Sequence, residues 1–147
     1  MVSLRIMQKK ILTYLQLRPG GEPPALDHLS PFLAIVLAEE EVDELWQAEI
    51  SRWLVASGCR YLLAWGKDCE AWHDMVDDAA LEAVDYEEVP DEHKVIATWH
   101  EDEDVEEVFW FAKHRAAHPS HSFKATVILD ISLLSRKEEI EQAYNDA

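Results

Sequence analysis

Phe32-Leu33-Ala34-Ile35-Val36-Leu37-Ala38 is apolar at every position, so both of its alternating faces must be covered. A strand buried on two sides belongs in a sheet with helices above and below, which removes most other architectures. Residues 61–65, 94–99 and 125–131 read as strands of the same kind. The four runs begin near residues 32, 61, 94 and 125. Intervals of about 30 residues match repeated strand–helix–strand units.

The segments between these runs have helical periodicity. Val42, Leu45, Trp46, Ile50, Trp53 and Leu54 trace one stripe over 42–57, and Gly58 is placed to end that helix. Trp72, Met75, Val76, Ala79 and Ala80 supply the apolar side of a helix over 69–83, with Asp68 as its N-cap. Val105, Val108, Phe109 and Ala112 predict a third, capped by Asp102 or Asp104 and ended by His118-Pro119. Ser135 and Glu138 make a capping-box pattern for a short final helix.

The fold expected is α/β: a single three-layer domain with a four-stranded, mainly parallel sheet in the order β-α-β-α-β-α-β. Right-handed crossovers with strand order 2-1-3-4 place the first crossover helix on one face and the other two opposite, leaving the first face under-covered. Leu4, Met7, Ile11 and Leu15 have helical spacing. The division expected is therefore a basic amphipathic helix over 1–18, a Pro/Gly-rich linker over 19–31, and an acidic α/β domain over 32–147 that includes the final helix. Met1 and Met7 both stand as starting residues.

A chain of 147 residues is the size of one domain and buries a core without staples. No apolar run approaches the ~20 residues that span a bilayer, and the first residues lack a signal peptide's apolar core, so a cytoplasmic protein is expected. Cys59 and Cys69 flank a strand that separates them by roughly 30 Å in extended chain, too far for a disulfide, in keeping with a reducing compartment. The net charge of −17 is uneven. Residues 1–18 hold Arg5, Lys9, Lys10 and Arg18 and no acid, leaving 9 basic against 30 acidic residues beyond them. Residues 68–107 alone carry 17 acids against Lys94. Such a field repels nucleic-acid phosphates and attracts basic proteins.

Ligands of parallel sheets bind beyond the carboxyl ends of the strands. Those ends offer Glu39, Glu40 and Glu41, then Trp65, Gly66, Lys67, Asp68 and Cys69, then Trp99, His100, Glu101, Asp102, Glu103 and Asp104. The segments Ala64-Trp65-Gly66-Lys67-Asp68-Cys69 with Trp72, Thr98-Trp99-His100-Glu101-Asp102-Glu103, and Glu107-Val108-Phe109-Trp110-Phe111-Ala112 resemble an uncharacterised bacterial domain family over residues 31–131. The resemblance implies a bacterial cytosolic domain and carries no activity.

Three chemistries fit these residues on paper. Cys69 at a helix start, with His100 as base and Glu101 or Asp68 as orienter, is a nucleophile pattern; the neighbouring Asp68 charge opposes thiolate formation. Glu39 or Glu40 with Asp102-x-Asp104 resembles the Toprim phosphotransfer layout and suits Mg²⁺, although the glycines of that pattern are absent. His114-x₃-His118 could share one transition metal, but Pro119 breaks the helix before His121. Against each stands a plain structural reading: a half-buried thiol, helix capping beside a solvated charge run, and a polar helix end. No phosphate loop, dinucleotide fingerprint or serine elbow is present.

The function expected is a non-catalytic binding or regulatory module without a cofactor. It would dock a partner protein with a basic surface through Trp65, Asp68, Cys69, Trp72, Trp99, His100, Glu101, Asp102 and Glu103, in an accessory, inhibitor or immunity role. Homo-oligomerisation through the under-covered face stays open. The alternative is a small hydrolase or a metal-dependent phosphotransfer enzyme on the same edge.

Overall fold

The computed structural model describes residues 11–147. The element order is β1 (Ile11–Leu17), β2 (Phe32–Ala38), α1 (Glu44–Ser57), β3 (Cys59–Gly66), α2 (Cys69–Glu82), β4 (Ile96–His100), α3 (Val105–His114), β5 (Ala125–Ile131) and α4 (Lys137–Asp146). All strand pairs are parallel, and the sheet order is β1-β5-β2-β3-β4. As the apolar runs require, β2 and β5 are buried along their whole length.

Five strands replace the expected four, because Ile11–Leu17 pairs with β5 from Ile11↔Ala125 to Leu17↔Ile131. The helix expected there fails for a simple reason. Positions four apart, such as Ile11 and Leu15, share a face in a helix and in a strand alike. Tyr14 and Thr13 then favour the strand, as does the open edge of β5. The part of that expected helix before residue 11, including Met7, lies outside the described residues.

The strand order also differs. Numbering the four expected strands 1 to 4, they lie 4-1-2-3, not 2-1-3-4. The first two crossovers run in one direction, so α1 and α2 share a face with Trp46, Ile50, Leu54, Trp72 and Val76 against β2, β3 and β5. The third crossover returns past β3 and β2, which puts α3 on the other face; Val108, Phe109 and, from α4, Ile140 pack there on Leu33, Ile35, Leu63 and Ile128. Residues 19–31 lie against the α1 side: Leu26 and Leu29 are buried in its core, and Trp46 and Trp53 donate to the carbonyls of Gly21 and Pro24, each at 2.9 Å.

Local signals account for most element ends. Asp43 caps α1 by accepting from the Leu45 and Trp46 amides, and Gly58 ends it at φ 111°. Asp104 and Glu107 form a capping box on α3. Asp68 occupies the cap position of α2 but in the left-handed region, φ 54°, without a side-chain cap bond. The turn before it is set by Gly66 at φ 100°, where any Cβ would stand 2.4 Å from the Ala38 carbonyl oxygen. Arg136, not Ser135, sits at the cap of α4, and its side chain makes no cap bond.

Candidate functional site

Strands β3 and β4 end side by side, pairing Trp65 with His100 in register. Alternation along β4 turns Trp99 toward α2 and His100 toward α3. Trp99 stays 41% exposed and stacks edge-on to His73 of α2, 4.7 Å between ring centroids. His73 in turn meets Asp74 at 2.9 Å and Asp77 at 3.6 Å. His100 is buried; its Nδ1 meets Glu103 Oε2 at 2.7 Å and its Nε2 meets Thr98 Oγ1 at 2.8 Å. Trp65 Nε1 donates to the Glu103 carbonyl at 2.7 Å, tying the acidic turn 101–104 to the end of β3. Asp68, Glu70, Asp74 and Glu101 are exposed and, with Gly66, Cys69 and Ala71, line an open depression of about 430 Å³. Asp102 and Glu103 extend the same acidic surface.

This edge gathers Trp65, Asp68, Trp99, His100, Glu101, Asp102 and Glu103, but three expected site residues, His100, Trp72 and Cys69, are not presented to solvent. Trp72 is fully buried, edge-on to Trp46 at 6.4 Å, so it is core. Cys69 is also buried, and burial pushes its thiol up; the Glu101 charge adds to this, while backbone N–H groups of His100 and Glu70 act the other way. The His100 ring is engaged with Glu103 and Thr98 and meets the thiol only through its backbone, so the two do not form a nucleophile–base pair.

The carboxylates suggested for a metal are not assembled. β3 separates the ends of β2 and β4, which two strand spacings place about 10 Å apart. Glu39 pairs with Arg136 at 3.2 Å, and Asp104 is spent on the α3 cap. Among the described residues no group of three or more His, Cys, Asp or Glu side chains could hold a metal ion. Of the histidines, His114 packs on Trp110, while His118 and His121, whose ring centroids lie 4.8 Å apart, meet the carbonyls of Lys94 and Glu92 at 2.8 and 2.6 Å.

The strand order reverses between β2 and β5, and a cluster absent from the expected set lies there. Asp130 of β5 is completely buried. The Tyr14 hydroxyl donates to Oδ2, and Arg136 donates through Nη2 to Oδ1 at 2.7 Å and through Nε to Oδ2 at 3.3 Å. The Arg136 amide donates to the Tyr14 oxygen at 2.9 Å. Burial first, then the Asp130 hydrogen bond, pushes the Tyr14 hydroxyl up, and the same carboxylate raises Arg136. This is a compensated buried charge that ties β1, β5 and the start of α4 together. One sequence cue for it was visible, an acid inside the apolar run Ala125–Ile131; its partner Tyr14 was hidden by the helix reading.

No curated protein and no solved structure matches the chain. A family model described as Domain of unknown function (DUF7684) matches residues 12–147, a span that takes in nearly all of β1 and all of α4, and the chain belongs to that family.

Proposed function

We propose that the domain is a non-catalytic binding module that docks a partner protein with a basic surface at the ends of β3 and β4. The observation that carries this reading is Trp99, a large ring left exposed beside the depression lined by Asp68, Glu70, Asp74 and Glu101. An exposed aromatic ring next to an acidic depression suits a partner whose Lys and Arg side chains meet the carboxylates while an apolar group meets the ring. His100, by contrast, is engaged internally by Glu103 and Thr98.

The test is capture from the native cell extract with three proteins: wild type, a rim variant (Asp68→Asn, Glu70→Gln, Asp74→Asn, Glu101→Gln), and a control with exposed acids neutralised elsewhere (Glu87, Glu88, Glu138 and Glu139 to Gln). A stoichiometric partner held by wild type and control, lost by the rim variant and weakened by salt, supports the proposal. A partner held equally by all three, or none at all, overturns it.

A second reading rests on the Thr98–His100–Glu103 chain, a hydroxyl, imidazole and carboxylate joined at 2.8 and 2.7 Å. It favours a small hydrolase in which His100 takes the Thr98 proton. Covalent labelling of Thr98 by a fluorophosphonate, absent in His100→Gln, would support it; an unlabelled wild type would remove it.

A further inference from the structure

The opposite ends of β3 and β4 lie by a different kind of site. α1 and α2 lie on one face, and their facing side chains change size along their length. Near one end Trp46 and Trp72 fill the space between them. Toward the other end the facing residues shrink to Ala56, Ala79, Ala80 and Ala83, and a cleft of about 390 Å³ opens. That volume lies within the ordinary range for small-ligand sites. Val55 and Ala79 are buried at its base.

The charge of the cleft departs from that of the chain. Arg52 and Arg60 line it against a single lining carboxylate, Glu82, in a protein whose net charge is −17. Arg60 is held in place: Nε donates to the Glu92 carbonyl at 3.2 Å, and Nη1 to the Val55 and Cys59 carbonyls at 3.2 and 2.7 Å. Its Nη2 has no hydrogen bond among the described residues. Arg52 meets Glu82 through Nε at 3.1 Å in a pair whose side chains are 53% and 43% exposed. A pair so exposed is weak and exchangeable, and both Nη groups of Arg52 have no hydrogen bond among the described residues.

We infer that this cleft binds a small organic acid, with its carboxylate on Arg52 and Arg60 and a compact apolar body on the Val and Ala floor. Guanidinium N–H pairs match a carboxylate in geometry and charge. Two cations against one anion favour a monoanion; a dianion would meet the acidic field of the whole chain without a second unopposed cation. Glu82 is then an internal competitor, which the ligand displaces from Arg52.

Titration calorimetry with octanoate, octanol and octylamine tests this, because the three probes share one chain and differ in head charge. Octanoate is expected to bind at least about tenfold more tightly than either other probe, a margin of about 1.4 kcal/mol. Ala80→Leu fills the cleft and should abolish binding, and Arg52→Gln should weaken it about tenfold, in line with one charge-assisted hydrogen bond. Glu82→Gln frees Arg52 and should tighten binding severalfold, whereas a purely structural Arg52–Glu82 pair would give no gain. Thermal melts establish that each variant is folded. Equal affinity for octanol, octanoate binding unaffected by Ala80→Leu, or no octanoate binding at millimolar concentration would overturn the assignment.

Discussion

Asp130 shows what a single buried charge demands. Its carboxylate is completely buried and is compensated by Arg136 and Tyr14. Arg136→Met leaves the charge without its cation and should cost about 3 kcal/mol in urea unfolding, while Tyr14→Phe, which removes one hydrogen bond to a charged group, should cost about 1.5–3 kcal/mol. Equal, negligible effects would mean that the cluster is not coupled to folding. Cys59 makes a prediction in pH. Burial holds its thiol protonated to about 12, against an ordinary 9.0. The unfolded chain therefore releases this proton first, so the associated stability is complete below pH 9 and falls as pH rises from 9 to about 12. Tyr14, Tyr61 and Tyr144 are raised in the same sense and add to the decline above pH 10. Cys59→Ala should flatten the curve by up to about 1.4 kcal/mol per pH unit between 9 and 10; an unchanged slope would contradict this. Both thiols are buried, and disulfide-exchange reagents at pH 8 should leave both unlabelled until the protein is unfolded.

At the level of elements, two helix starts that look alike in sequence behave differently. Asp104 works as a cap with Glu107, so Asp104→Ala should cost about 1 kcal/mol. Asp68 makes no cap bond and sits at φ 54°. Asp68→Gly should therefore be neutral or stabilising, by up to about 1 kcal/mol, as relief of a left-handed residue allows. Chemical denaturation should show a loss of stability for Asp104→Ala and none for Asp68→Gly. The crossover units were legible because their apolar runs recur at even intervals and their helices are punctuated by Gly58 and Asp104. β1 was not, since a spacing of four residues is common to both periods. The backbone state of Asp68 was not legible either, because it follows from the close approach of Gly66 to Ala38, a contact between separate strands.

For the whole molecule, the uncompensated charge should itself limit stability. Raising sodium chloride from about 10 mM to 1 M shortens the screening length from about 30 Å to about 3 Å. Self-repulsion then weakens, and the melting temperature should rise by at least about 3 °C, the equivalent of about 1 kcal/mol for a domain of this size. A flat or falling trend would show that local ion pairs outweigh the global field. Strand order is the part of the fold that sequence pattern reaches least. β2 and β5 are apolar on both faces, and nothing local states which strands flank them. The site inherited that limit: the β3–β4 edge could be read from strand ends alone, while the β2–β5 junction depends on the true order.

That order also bears on how the chain is made. Among the described residues β1 is an edge strand with β5 as its one neighbour, and Tyr14 lies 116 positions before its acceptor Asp130. At about 5–20 residues per second, a ribosome completes that distance in roughly 6–23 seconds. Through that interval β2, β3 and β4 can assemble with α1 and α2, but β1 waits with its apolar residues unpaired. Nascent chains are therefore vulnerable at Ile11–Leu17, and a holding chaperone that covers this segment would act on a strand that docks only after β5 is made.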